Sequence, residues 1–333
     1  MKIMLKLKLL LMIFTISLNA DQFSFLFYND YFAGTDKHFT NGISLSWLDS
    51  SYESTEMNTS DTTKSFTSIL ISKLPSNLID TSKKYNAGLS VNQIIFTPVK
   101  TTLSTPQYND MPYVGYLNLS FYLFEWNETS FREYRMELGV VGEESGAEFF
   151  QNTFHALIKN PKLQGWDTQL GTKYTANALF RYGENSWQGK TQSGLNMDWF
   201  NHCGFEAGNF LTNAFTGTMF RVGENYIQNF NTHYPYLKEE ASLLRLTTKH
   251  RGYGWSFSAG INGELLAYSY ILDEAKKEGY AVESYLVNAS LYAGTDLYYN
   301  SSKFTFFYQL QSPYNVRYNK ESITGGFMYA YEF

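Results

Sequence analysis

Residues 116–124 read YLNLSFYLF, and within them Leu117, Leu119, Phe121 and Leu123 alternate with Asn118 and Ser120. A period of two puts the apolar side chains on one face of a strand and the polar ones on the other. The pattern recurs in both directions along the chain. In QFSFLFYND, residues 22–30, Phe23, Phe25 and Phe27 share a face, and in GISLSWLDS, residues 42–50, Ile43, Leu45 and Trp47 oppose Ser44 and Ser46. The last nine residues, GGFMYAYEF, alternate Phe327, Tyr329, Tyr331 and Phe333 with smaller or polar side chains. Segments of this kind predict strands near residues 22–29, 40–49, 85–95, 114–125, 131–141, 172–184, 191–199, 215–223, 253–271, 282–299, 303–312 and 323–333. They number twelve, and an even number lets a sheet close with both chain ends on one side. Residues 242–250, SLLRLTTKH, are a thirteenth candidate, assigned to a long connection because an odd count would break closure.

Composition indicates where such a sheet resides. The chain has 333 residues and a net charge of −5, with 27 Tyr, 27 Phe and 6 Trp. It begins with Lys2, Lys6 and Lys8 ahead of an apolar run from Leu9 to Leu18, then Ala20, which reads as a signal peptide over residues 1–20 followed by one domain over 21–333. Removing those lysines takes the charge to −8. With that charge and no basic patch, the sequence argues against a nucleic-acid partner. The single Cys203 forms no internal disulfide. After residue 20 no apolar run approaches the roughly 18 residues of a membrane-spanning helix. An exported, acidic, aromatic-rich chain of alternating strands is expected to be all-β, a twelve-stranded antiparallel transmembrane β-barrel with aromatic girdles. A soluble sandwich would also alternate, but its strands need not run to barrel length so regularly.

Two segments break the pattern. Residues 29–42, NDYFAGTDKHFTNG, join the first two strands and carry Asn29, Asp30, Thr35, Asp36, Thr40 and Asn41, oxygen donors of the kind hard cations take. Turn chemistry accounts for Asn, Asp and Gly in a hairpin, but not for Asn29-Asp30 ending one strand where Thr40 begins its neighbour. Residues 142–161, GEESGAEFFQNTFHALIKNP, predict the one short helix, in a loop at the same barrel end. Ser145 and Glu148 suit a capping box, and Asn160-Pro161 stops the helix. Phe150, Phe154, Leu157 and Ile158 form a stripe expected to pack on the barrel wall; Glu148, Gln151 and His155 fall on the other. Most histidines on loop helices are ordinary surface residues, but this one shares its barrel end with the oxygen-rich loop. A neutral imidazole beside a bound Ca²⁺ suits ester hydrolysis by activated water. No G-x-S-x-G elbow supports a serine nucleophile.

The opening loop, NDMPYVGYLNLS at 109–120, MELGVVGEESGAEFFQNTFH at 136–155 with GWDTQL at 165–170, and GFEAGNFLTNAFTGTMFRVG at 204–223 together resemble the outer-membrane lipid A 3′-O-deacylase (LpxR) family. The resemblance implies a bacterial outer-membrane enzyme that removes the 3′-acyloxyacyl group of lipid A, dependent on Ca²⁺, with lipopolysaccharide and outer-membrane lipids as partners. His155 then matches the catalytic histidine; Asn29, Asp30, Thr40 and Gln151 match other active-site positions, with Asp30 the foremost metal ligand and Asn29, Thr40 and Gln151 able to bind metal or orient substrate. An acidic residue that some members carry six positions after the histidine is here Pro161; Glu148 or Asp36 could stand in. Lys100 is a candidate for a lipid A phosphate. A monomer is expected, with the active site facing the cell exterior. The rival readings are an outer-membrane phospholipase, a porin or transporter, and an inactive structural relative.

Overall fold

The computed structural model describes residues 22–33, 38–49, 52–53, 65–157, 159–227, 251–312 and 322–333. Twelve antiparallel strands close on themselves: β1 (Gln22–Asn29), β2 (His38–Leu48), β3 (Lys84–Thr97), β4 (Val114–Trp126), β5 (Ser130–Val141), β6 (Lys173–Lys190), β7 (Asn196–Gly208), β8 (Leu211–Glu224), β9 (Tyr253–Ser269), β10 (Val287–Tyr299), β11 (Ser302–Gln311) and β12 (Ser322–Glu332). Each pairs with its neighbours in sequence, and β1 closes the ring on β12 with Phe23 opposite Tyr331. A two-residue strand, Tyr52–Glu53, flanks the start of β3. Residues 242–250 lie outside the described residues, as do all but two of the polar residues 51–64, SYESTEMNTSDTTK.

The short turns form as their residues dictate. Between β4 and β5, Asn127 Oδ1 accepts from the backbone N–H groups of Thr129 and Ser130, and between β10 and β11 Asn300 takes a positive φ of 47°. The expected boundaries of β7 and β8 fall short. β6 runs on to Lys190, and the chain turns at residues 191–195, where Gly194 has φ 89° and Thr191 Oγ1 accepts from Leu195 N. β7 therefore occupies 196–208 rather than 191–199, and β8 starts at Leu211 after a turn of only two residues.

The two faces of the wall differ as the alternation requires. Asn118 and Ser120 point inward, where Asn92 Nδ2 donates to Asn118 Oδ1 at 2.7 Å. Outward, Met136, Leu138, Phe205, Phe257, Leu291 and Phe306 are exposed, and Trp187, Trp199, Tyr253, Tyr299 and Tyr331 ring the end that carries the chain termini. The lumen is filled. Arg135 lies between Glu133 and Glu137, 3.2 Å from each, and Arg181 also pairs with Glu133. All four are at most 9% exposed, so these charges are packed against one another rather than lining water, which counts against the porin reading.

Three α-helices are described rather than one: α1 (Phe66–Ile71), α2 (Ala147–Leu157) and α3 (Tyr270–Lys277). In α3, Ser269 caps the N-terminus through Leu272 N, Asp273 sits in the first turn, and Lys276 and Lys277 sit in the last. The strand therefore ends at Ser269, two residues before the expected limit of 271, because cap and charge signals favour a helix from Tyr270. No helix among the described residues is long and apolar enough to cross a membrane.

Candidate active site

The site lies outside the barrel, between its wall and α2. After β5, Gly142 (φ 91°) turns the chain into a short 3-10 turn, Glu143–Ser145, and Gly146 (φ 71°) redirects it into α2. The capping box does not form. Ser145 Oγ accepts from Ala147 N two residues on, because Gly146 intervenes in the left-handed conformation, and Glu148 instead accepts from Asn152 Nδ2 and pairs with Lys162. The start of α2 docks tightly on the wall. A Cβ on Gly115 of β4 would come within 2.3 Å of Ala147 Cβ, so only glycine allows this approach. Gln93 on β3 donates to Ser145 O at 3.0 Å, and Ile95, Tyr113, Ala147, Leu163 and Trp166 form one buried cluster beneath the helix. Burial pushes the Tyr113 phenol up to about 12, so it stays a neutral donor to the Thr101 carbonyl.

The orientation of α2 reverses the expectation. Ala147 and Gln151 face the wall, whereas Phe150 and Phe154 are exposed and Leu157 is 79% exposed; Ile158 lies outside the described residues. Gln151 packs inward because Gly115 leaves room only for the small Ala147, and the next residue on that line is Gln151. Gln151 is 2% exposed, and neither atom of its amide finds a hydrogen-bond partner among the described residues. His155, one turn further, is half-buried.

From the barrel side, Asn29 ends β1 on the outer face, in line with Phe27 and opposite Gly325. Asp30 follows, buried, as the first residue of a 3-10 turn, Asp30–Ala33. Thr40 is the extra residue where the register of β2 on β3 shifts between Phe39 and Asn41; its side chain is not among those described, and Thr35 and Asp36 lie outside the described residues. Asn41 shares its face with Ile95, beneath α2, and its buried Oδ1 has no hydrogen-bond partner among the described residues. Sequence reasoning counted Asn41 only as a loop donor and missed Gln93. Neither has a signal beyond strand parity. The two sides meet where the Phe27 and Phe154 rings lie 6.3 Å apart, so the helix carrying Gln151 and His155 reaches the strand that ends in Asn29.

Beyond the helix the chain folds back. Lys159 takes φ 59°, Asn160 N donates to His155 O, and Leu163 N donates to Asn152 Oδ1. This return brings the carbonyl oxygen of Pro161 to 2.9 Å from His155 Nδ1. A backbone acceptor thereby holds the ring, and Glu148 is engaged with Asn152 and Lys162. The oxygens that a metal at this barrel end would draw on are the buried carboxylate of Asp30 and the buried amide oxygens of Asn41 and Gln151, the latter two without a hydrogen-bond partner among the described residues. Such an all-oxygen set fits a hard cation such as Ca²⁺. No group of three or more His, Cys, Asp or Glu suited to a metal occurs among the described residues.

The model of the outer membrane protein LpxR family matches residues 5–333. This chain belongs to the LpxR family. Among solved structures, LpxR from Salmonella typhimurium matches 94% of this chain and 100% of its own at 14% identity, with a TM-score of 0.74, so the LpxR barrel is retained at low identity. The β domain of the Bordetella autotransporter BrkA matches 95% of this chain and 100% of its own at 10% identity, with a TM-score of 0.45. No curated protein matches the sequence. Membership of the LpxR family and the outward apolar belt together place the protein in the outer membrane.

Proposed function

We propose that this LpxR-family barrel is a lipid A 3′-O-deacylase, hydrolysing the 3′-acyloxyacyl ester in the outer leaflet with His155 as the base. The observation that carries the reading is the bond from His155 Nδ1 to Pro161 O. A carbonyl only accepts, so in the neutral imidazole the proton sits on Nδ1 and the lone pair on Nε2. Nε2 takes a proton from water as the water oxygen bonds to the ester carbonyl carbon. When the bond to the sugar oxygen breaks, the imidazolium returns that proton to the leaving 3′-oxygen. A calcium ion held by Asp30 with oxygens from Asn41 and Gln151, and from Asn29 and Thr40 beside them in sequence, would supply positive charge beside the developing oxyanion.

The substrate reaches this site from the side, because the site lies on the outer wall and not in the lumen. Lys100, exposed on the loop whose Thr101 carbonyl accepts from Gln164 beyond α2, is the side chain we assign to a lipid A phosphate. With the chain ends in the periplasm, this end of the barrel faces the cell exterior.

The test is mass spectrometry of lipid A from a deacylase-free Gram-negative host expressing the protein or its His155→Ala variant, with and without calcium chelation. Loss of the 3′-acyloxyacyl mass only with the unaltered protein, suppressed by chelation, is the expected result. Unchanged lipid A with the barrel folded in the membrane overturns it, and release of fatty acid from glycerophospholipid alone selects a phospholipase.

A further inference from the structure

α2 and α3 both follow strands that rise to the same barrel end, yet they present opposite faces. α3 buries Tyr270, Ile271, Leu272 and Ala275 and shows outward Asp273, Lys276 and Lys277, as a helix bathed in water does. α2 turns Gln151 to the wall and leaves Phe149, Phe150, Phe154 and Leu157 outside, 69%, 51%, 41% and 79% exposed. One barrel end thus carries two helices of inverted polarity. The difference follows from what lies outside each of them. Water suits the outer face of α3; an apolar medium suits that of α2.

The apolar face of α2 is also continuous with the membrane belt. Phe154 meets Phe27, which in turn meets Phe32 and Phe327, all on the outside of β1, its 3-10 turn and β12. On the other side, Tyr174 at the start of β6 is exposed and its hydroxyl donates to Glu144, just before the helix. The outward apolar side chains of the strands reach this height around much of the ring, at Tyr174, Leu265, Val287, Tyr308 and Ile323.

We propose that α2 is an in-plane membrane helix, whose Phe149, Phe150, Phe154 and Leu157 face is seated in the hydrocarbon of the outer leaflet. Its occupant is the acyl-chain layer of the bilayer itself, not the chains of one bound substrate molecule. Amphipathic helices adopt this arrangement when one face is apolar and the other polar. Here the polar side is held by protein: Gln151 faces the barrel wall and His155 bonds to the returning chain at Pro161, while the aromatic side is left to lipid. An ester at the glycolipid interface then reaches the polar side without its chains leaving the bilayer. The surface does not depend on His155 acting as the base.

Spin labels test the placement. Cys203 is the single cysteine and is exposed on the outer wall in mid-β7, so a label there in the unaltered protein reports the hydrocarbon. In a Cys203→Ser background, Phe150→Cys and Leu157→Cys place labels on α2, and Lys276→Cys places one on the water-facing side of α3. The barrel is reconstituted in phosphatidylethanolamine–phosphatidylglycerol vesicles, and each label's collision with oxygen is compared with that of a water-soluble nickel chelate. The expected result is that labels at 150 and 157 favour oxygen several-fold over the chelate, as at 203, and the label at 276 does the reverse. Two α2 positions guard against one variant failing to fold. Labels at 150 and 157 matching 276 overturn the proposal, and so does oxygen preference that arises only when lipid A is added, which would leave substrate alone as the occupant. Neither outcome bears on hydrolysis, which the lipid A masses report separately.

Discussion

The ring nitrogen Nδ1 of His155 lies 2.9 Å from the carbonyl oxygen of Pro161. That carbonyl is held by a turn anchored at Asn152, whose Oδ1 accepts from Leu163 N at 3.1 Å. Asn152→Ala releases the anchor, and a lost hydrogen bond of about 1 kcal/mol is expected to lower kcat by roughly 5- to 10-fold with KM little changed. Asn152→Asp keeps the acceptor and should recover most of the rate in a deacylation assay on purified lipid A. Equal loss in both variants would show that the turn does not position the ring.

His155→Gln removes the base and keeps a polar side chain of similar reach. Hydrolysis should fall by roughly 10²- to 10⁴-fold. Because the helix docks through Ala147 and Gln151, the barrel should still assemble, seen as an unchanged heat-modifiable shift on gels. A variant that fails to assemble would make His155 a structural residue.

Gly115 admits the helix to the wall. With Ala147 Cβ only 2.3 Å from where a Cβ would stand, Gly115→Val should push α2 outward at an overpacking cost of about 1–3 kcal/mol. Activity should be lost while the barrel assembles. Protease nicking within 142–172, faster than in the unaltered protein, would report the displaced helix.

Gln151 is buried with an amide that has no protein partner among the described residues, which costs about 1–3 kcal/mol relative to an apolar side chain. Gln151→Leu should therefore leave thermal stability unchanged or raised in the absence of calcium, yet reduce activity and increase the calcium concentration needed for half-maximal rate. A destabilised variant with unaltered calcium dependence would remove Gln151 from the site. Such opposition of stability and function is what a strained polar site predicts.

In the lumen, Glu133 receives both Arg135 and Arg181. Glu133→Gln leaves two buried guanidinium groups short of a counter-charge and should cost about 3–5 kcal/mol, read as a lower unfolding temperature of the barrel in detergent. The unaltered protein should show no steady conductance in planar bilayers, since its interior charges are dehydrated. Stable porin-like channels would contradict the filled lumen.

Strand identity was legible because a wall with lipid on one side and packed polar groups on the other imposes a period of two, as at Leu117 to Leu123 and Phe23 to Phe27. Boundaries were legible where turn residues are distinctive, as at Asn127 and Asn300. They were not at β7, where the aromatic and small residues around 185–190 continue a strand as readily as they turn it. α3 carried its cap and charge signals in plain view, but the alternation at 253–269 masked where the strand ended. Asn29, Asp30, Gln151 and His155 were singled out from residue type and resemblance. Where each of them stands relative to the wall depends on strand register and on Gly115, which no local pattern reveals.

The chain's sequence by itself determined that alternating strands form an exported, aromatic-girdled barrel and that one loop holds a helix with an aromatic stripe and a polar stripe. Periodicity establishes that a helix has two faces. Only the tertiary structure decided which face meets the wall, because that depends on the space left by Gly115 and on the medium beyond the helix, and neither is encoded within residues 147–157. It also decided what holds the His155 ring: every residue has a carbonyl, and only the path of the chain through Lys159 brings that of Pro161 within reach.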